Sequence, residues 1–409
     1  MSKGKDSKPH IGIFGRRNSG KSSLINFLAC QEISIVSEMA GTTTDPVKKS
    51  MEIFGIGPAI LIDTAGIDDV GELGMKRVQK SMKILQAIDL AILVITGNRF
   101  GQPEIDLIGR FREFALPFFV IHNKSDLMPL SALMKNKIEK EYSTTVIDMN
   151  TLAGYDISEI VKCICKYMPD TAYHSQSLLG DVISSGDTVL LVTPIDLEAP
   201  EGRMILPQVQ MIRDVLDNDA VNVVLKETAL ESYIRKMNPK PVLVITDSQA
   251  FAKVNAVVPA DIALTSFSIV MARSKGDFLH YQQGTPYLSK LKDGDRLLIL
   301  ESCTHEVNCD DIGRVKIPRW IRQFSGKKLE FDVVGGLNSL PRDIHEYAMV
   351  VQCGGCTLTH RQLINRLKPA VDAGIPVSNY GMAIAYINGI YQRAIAPFVK
   401  AEAEKVPQE

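Results

Sequence analysis

Gly15-Arg16-Arg17-Asn18-Ser19-Gly20-Lys21-Ser22 stands between an apolar run, Ile11 to Phe14, and a helix-forming run, Lys21 to Ala29. It reads G-x-x-x-x-G-K-S in the setting that its chemistry needs: a strand, a glycine-rich turn and a helix N-terminus. The glycines let backbone N–H groups wrap phosphates, and the helix N-terminus adds partial positive charge. In that arrangement Lys21 reaches the β- and γ-phosphates and the Ser22 hydroxyl sits on Mg2+. Gly15, Asn18, Ser19, Gly20 and Ser23 join the same nucleotide-binding set. A strand that turns into a helix around phosphate opens a parallel α/β sheet, so this octapeptide sets the fold class.

Two further motifs follow in order. Asp63-Thr64-Ala65-Gly66 comes after the strand candidate Ala59 to Ile62. Asp63 is expected to hold Mg2+ through its water shell, and the Gly66 N–H to contact the γ-phosphate. Asn123-Lys124-Ser125-Asp126 comes after the strand candidate Phe118 to Ile121. A carboxylate at Asp126 accepts two hydrogen bonds, from N1–H and the 2-amino group of guanine, which adenine lacks; a site built for them rejects the analogue. Alone, Asp63 reads equally well as a turn residue and Asp126 as a helix cap. Together, each at a strand end, they specify GTP/GDP and a GTPase. The base-side loop is weakly spelled, with Met149 to Gly154 the candidate region.

Around this core the first stretch alternates strand and helix patterns, with another strand candidate at Leu90 to Ile95. Helix patterns follow at Met75 to Gln86, Glu104 to Phe114, Ser131 to Glu141 and Ile157 to Tyr167. A polar segment from Pro169 to Gly180 reads as a linker. Thr188 to Val192 and Pro241 to Thr246 look like buried strands of a second α/β unit, with helices at Gln208 to Leu216 and Glu227 to Lys236. That unit carries no phosphate fingerprint and reads as a packing or self-association module. Strand patterns at Arg296 to Leu300, Leu329 to Val333 and Tyr347 to Val351 alternate with helices at Gly313 to Phe324 and Arg361 to Ala373, a third parallel pattern. The expectation is α/β with three domains: a GTPase domain over 1–170, a middle dimerisation domain over 171–260 and a C-terminal cluster-binding domain over 261–409.

Composition narrows the class. With 409 residues, 45% hydrophobic and 23% charged, the chain is an ordinary globular protein too long for one core. It has no apolar run long enough for a membrane span, and Met1 to Pro9 is polar and lysine-rich, unlike a secretory signal. A cytoplasmic location is therefore expected. The net charge of −1 argues against a nucleic-acid partner, since phosphate binding usually brings a basic surplus. Seven cysteines, an odd number, argue against a disulfide framework. Cys30, Cys163 and Cys165 fall in helical patterns and read as packing residues.

The nucleotide motifs resemble the TrmE–Era–EngA group of GTPases over about the first 165 residues. Gly41-Thr42-Thr43-Thr44-Asp45 looks like that group's switch I, with Thr43 the Mg2+ ligand. An asparagine at Asn18 goes with K+ activation in that group, and Ile67 stands where Ras-like proteins carry a water-orienting glutamine. The resemblance implies slow, K+-stimulated hydrolysis. Glu72 is at a different spacing from the water-positioning glutamate of some relatives and reads as a solvated residue.

The remaining cysteines cluster late. Cys303-Thr304-His305 follows one strand candidate, and Cys353-Gly354-Gly355-Cys356 another. If both strands share a parallel sheet, three thiols emerge at its carboxyl edge, where such sheets bind ligands. An iron–sulfur cluster, a zinc site closed by His305 and a redox pair all fit these residues; Cys309 reads as a spare thiol. A GTPase domain, a middle α/β module, C-x-H and then C-x-x-C resemble, over essentially the whole chain, the [FeFe]-hydrogenase maturation GTPases of the HydF family. That resemblance implies a dimer and a [4Fe–4S] cluster held by Cys303, Cys353 and Cys356, with His305 the C-x-H histidine. It also implies a scaffold and carrier that takes a di-iron unit as cargo with two radical-SAM maturases and delivers it to apo-[FeFe]-hydrogenase. One departure stands out: Gln352 occupies the place where the family often has histidine. The fourth iron is then left to His305, to another residue such as His345, or to an exchangeable ligand. The competing reading is an RNA-linked GTPase with a structural zinc tail.

Overall fold

The computed structural model describes residues 8–29, 38–39, 48–53, 57–68, 84–151, 156–169, 172, 177–194, 204–302, 311–355 and 358–405. The chain divides into two compact units, Met1–His174 and Ser175–Glu409.

The first unit is built on a seven-stranded sheet. In chain order its strands are β1 (His10–Gly15), β2 (Glu38–Met39), β3 (Lys48–Ile53), β4 (Gly57–Asp63), β5 (Leu90–Thr96), β6 (Phe118–Asn123) and β7 (Val146–Asp148). They lie in the order β2-β3-β4-β1-β5-β6-β7. The five strands from β4 to β7 across the sheet run parallel, whereas β2 and β3 are antiparallel at one edge. Because side chains alternate along a strand, the apolar runs feed two cores. Ile11, Leu61, Ile92 and Phe119 pack on one face, and Phe14, Ile62, Leu93 and Val120 on the other. This two-sided burial is why β1, β4, β5 and β6 read as continuous apolar runs. β3, Lys-Lys-Ser-Met-Glu-Ile, has one solvated side and is held by its pairing with β4; the three-residue β7 is likewise too short for periodicity to mark.

The second unit holds two four-stranded parallel sheets. One has the order β11-β10-β8-β9, from β8 (Thr188–Val192), β9 (Val221–Leu225), β10 (Leu243–Thr246) and β11 (Ala263–Ser266). The other has the order β13-β12-β14-β15, from β12 (Arg296–Glu301), β13 (Glu330–Gly335), β14 (Met349–Gln352) and β15 (Val377–Asn379). β11 lies beyond the boundary drawn at 260/261 yet hydrogen-bonds to β10 throughout its length. Only that pairing, made through the helix Phe251–Val257, assigns residues 263–266 to the earlier sheet. One apolar cluster runs through both sheets, from Leu179 to Phe398. In place of the single helix expected over Gly313 to Phe324, a π-helical turn Ile312–Lys316 leads into the helix Ile317–Ser325.

Candidate functional site

The carboxyl ends of β1, β4, β5 and β6 meet at one edge, bringing Gly15, Asp63 and Asn123 together. Gly15 adopts φ +149°, and a Cβ there would lie 2.2 Å from the Val94 carbonyl oxygen. Gly20 adopts φ +92°, with Asn123 Nδ2 only 2.1 Å from where its Cβ would stand. Both motif glycines are thus fixed by backbone conformation and by close packing. Between them Asn18 is left-handed (φ 59°), which asparagine tolerates better than most residues.

The loop wraps the Lys21 ammonium, which donates to the carbonyls of Gly15 (3.1 Å) and Arg16 (2.9 Å) and is buried. Ser22 Oγ donates to Asp63 Oδ2 at 2.5 Å. The other carboxylate oxygen, Oδ1, is buried with no hydrogen-bond partner, and so is the Ser19 hydroxyl. An unsatisfied anionic oxygen beside a serine hydroxyl is a hard-oxygen donor set that suits Mg2+. Gly66 is buried and Ser23 exposed. Thr64 Oγ1 donates to Ile13 O (2.7 Å) and Ile67 N to Gly15 O (3.2 Å), which clamps the Asp63–Gly66 segment to the phosphate loop.

Asn123 donates through Nδ2 to Ser19 O (3.1 Å), and its Oδ1 accepts from Lys124 N (2.8 Å). Lys124 Nζ donates to Asn18 O at 2.8 Å. The two motifs therefore form one hydrogen-bonded body, with Asp126 exposed at its rim. Ser125 N donates to Met149 O (3.1 Å), which ties the first residue of the candidate base-side loop to the Asn123–Asp126 segment; residues 152–154 of that loop lie outside the described residues. Gly41 to Asp45, including Thr43, lies outside the described residues, as does Glu72.

Two supports escaped the sequence reading. Arg16 Nε and Nη2 donate to both carboxylate oxygens of Glu104 (2.7 and 2.8 Å), whose side chain is 1% exposed and also accepts from Gly101 N. His122, fully buried, bonds through Nδ1 to Asp148 (2.7 Å) and through Nε2 accepts from Asn98 N (3.3 Å), anchoring the end of β6 beneath Asn123. The only prior signal was an acid opening a helix and a histidine ending an apolar strand.

In the second unit, Cys353 directly follows β14. Its N–H donates to Leu300 O (2.9 Å), and its sulfur lies 2.6 Å from Ser302 Oγ and 3.0 Å from Ser302 N. Cys303, His305, Cys309 and Cys356 lie outside the described residues, and among the described residues no group of three His, Cys, Asp or Glu could hold a metal. Ser302, the covalent neighbour of Cys303, and Cys353 directly follow the paired strands β12 and β14 at their carboxyl ends. The next helix starts only at His360, capped by Thr359, so Cys353 is not in the first helical turn that a thioredoxin-type pair uses.

Gln352 is fully buried: its Oε1 accepts from the Tyr281 hydroxyl (2.5 Å) and its Nε2 donates to Leu363 O (3.3 Å). Its amide is consumed by the core. His345, another of the alternatives for the fourth iron, lies in the turn Ile344–Glu346, where it is bonded to Asp343; that turn precedes β14, a four-residue strand with Cys353 at its far end. A strand of that length separates the two by about 13 Å. Arg366 spans the cysteine edge, donating to Glu301 O (2.8 Å) and Val334 O (3.0 Å); burial pulls its guanidinium below the usual range, and Cys353 opposes that. Cys163 is buried in the helix Ser158–Tyr167, and that burial pushes its thiol up.

Three family models match the chain. Residues 10–124 match the 50S ribosome-binding GTPase model, 178–276 the hydrogen maturase F dimerization domain and 279–397 the hydrogen maturase F tetramerization domain. Among curated proteins, the tRNA modification GTPase MnmE of Nitrosomonas eutropha is 36% identical over 150 residues, covering 36% of this chain and 32% of that protein. GTPase Der of Wolinella succinogenes is 39% identical over 125 residues, 30% of this chain and 26% of that one. The chain thus spans about a third or less of these relatives' length. Among solved structures, Aquifex aeolicus Era bound to GDP and aluminium fluoride is 21% identical with a TM-score of 0.34, over 56% of this chain and 98% of that one. The T. maritima FeoB G domain is 19% identical with a TM-score of 0.31, over 39% and 98%. No described helix is long and apolar enough to cross a membrane.

Proposed function

Because the chain belongs to the hydrogen maturase F family, with a GTPase domain ahead of that family's two oligomerisation domains, we propose that it is a GTP-hydrolysing scaffold for hydrogenase maturation. It holds an iron–sulfur cluster at the Cys353 edge and hands a di-iron precursor to apo-[FeFe]-hydrogenase, working with radical-SAM maturases in the cytoplasm as a homo-oligomer. The order of the two matched domains over 178–397 carries this reading and favours it over an RNA-linked GTPase.

In the nucleotide site, Lys21 and the Gly66 N–H meet the γ-phosphate. Ser22, Thr43 and Asp63 hold Mg2+, which supplies charge neutralisation between the phosphates. The unpartnered Asp63 Oδ1 supports that assignment. Gly15, Ser19, Gly20 and Ser23 complete the phosphate cradle, and Asn123, Lys124 and Asp126 the base site. Asn18 takes K+, whose charge stands in for an arginine finger. In the cysteine site, Cys303, Cys353 and Cys356 ligate the cluster. The fourth iron is held by His305 or by an exchangeable ligand, which is what a carrier needs; the engagement of the Gln352 amide within the core and of His345 with Asp343 supports this reading. GTP state acts as a timing step by changing affinity for partners.

Anaerobic reconstitution of the full chain with ferrous iron and sulfide, followed by metal analysis and EPR, tests the proposal. Wild type should take up about four irons and Cys353→Ala should lose the signal. A colourless protein that binds zinc instead would sink it.

A further inference from the structure

The ladder of the C-terminal sheet sets three side chains in one row. Leu300 pairs with Gln352, and Gln352 with Asn379. The residues one step on are Glu301, Cys353 and Tyr380, at the ends of three adjacent strands about 4.8 Å apart. Glu301 closes β12, while Cys353 and Tyr380 are the first residues beyond β14 and β15. One point brings the two outer side chains together: a Cβ on Gly313 would stand 2.4 Å from the Tyr380 hydroxyl and 2.7 Å from a Glu301 carboxylate oxygen. Tyr380 and Glu301 thus reach toward each other across the end of the strand that carries Cys353.

Tyr380 is 6% exposed, and its hydroxyl, fully buried, has no hydrogen-bond partner. Leaving a buried hydroxyl unpaired is costly, and such groups usually mark a partner that the bare protein lacks. Tyr281 is the internal contrast: it too is buried, and its hydroxyl is satisfied by Gln352.

We propose that the Tyr380 hydroxyl donates a hydrogen bond to the iron-bound group anchored by Cys353, an acceptor such as a cluster sulfur. The proposal rests on the iron–sulfur reading above. A phenol is protonated at neutral pH and enters as a donor. Donors to cluster sulfur stabilise the more negative, reduced state, so Tyr380 raises the reduction potential and slows release of the iron.

The test compares wild type, Tyr380→Phe and Tyr281→Phe, each as the full chain reconstituted anaerobically with ferrous iron and sulfide. Tyr380→Phe should still take up iron, with a lower midpoint potential and about tenfold faster loss of iron to a chelator, the fold-change expected for one hydrogen bond to a charged group. Its iron-free form should melt no lower than wild type, because the lost hydroxyl had no partner. Tyr281→Phe should show the converse, a lower melting temperature without iron and an unchanged potential. Wild-type potential and release rate in Tyr380→Phe, or a destabilised iron-free form, would overturn this proposal alone. Failure of wild type itself to bind iron would overturn the cluster reading, and this inference with it.

Discussion

Arg16→Met should destabilise the GTPase unit far more than a surface substitution does. The Glu104 carboxylate is 1% exposed and is held by three donors, two from Arg16 and one from Gly101 N–H. Removing one partner of a buried pair leaves an uncompensated charge, which costs about 3–5 kcal/mol. Arg16 itself is 30% exposed and the Gly101 donor survives, which places the loss near the lower end, about 3 kcal/mol. For a unit of this size that is a fall of roughly 6–12 °C in melting temperature. Scanning calorimetry on the nucleotide-free chain reads it, and added GDP identifies the transition because a bound ligand raises the melting point of the unit that binds it. Adding Glu104→Gln removes the stranded charge while keeping an acceptor for Gly101, so the double variant should recover more than half of the loss. An Arg16→Met transition within about 1 °C of wild type would refute the reasoning. So would a double variant no more stable than the single one, since the penalty would then not come from the carboxylate.

Acidification should weaken the same unit through His10. Burial first, then the Lys48 cation, pulls its imidazole from 6.5 down to about 4. The unfolded chain therefore binds the extra proton first, and stability present above pH 6.5 is lost as pH falls toward 4, by up to about 3 kcal/mol. Melting curves of His10→Gln should be flatter than wild type across that window, and parallel curves would remove His10 as the cause. Asp126→Asn should cost GTP affinity at least tenfold relative to xanthosine triphosphate, which offers an oxygen in place of the 2-amino group; titration with both nucleotides checks it, and unchanged GTP affinity would count against the base assignment. Replacing K+ by Na+ should slow phosphate release severalfold in wild type and much less in Asn18→Ala, an effect on the order of the electrostatic terms that stabilise such transition states. Equal rates in both salts would discard the potassium site.

The nucleotide site was legible because its chemistry is local. A phosphate loop needs glycines at fixed offsets, and the strands that support it are buried on both faces, so Ile11 to Phe14, Leu90 to Ile95 and Phe118 to Ile121 announce themselves by composition. Edge strands are another matter. β3 owes its conformation to β4, and β11 owes its sheet to β10; each is a short segment whose own residues do not show the pairing. The same holds for the supports of the site. Arg16 meets Glu104 across 88 residues, and nothing local to either marks the pair.

The opening octapeptide with its two companion motifs determined, unaided, the α/β class, the nucleotide and the residues arranged around it. Tertiary structure alone decided where the polar side chains left over would go. It turned Gln352 into the core, set His345 in a turn ahead of β14, and placed an unpaired Tyr380 hydroxyl one step beyond the strand beside Cys353. The physical reason is that a motif is written in covalent spacing, whereas burial and register are fixed by segments that meet only when the sheet closes.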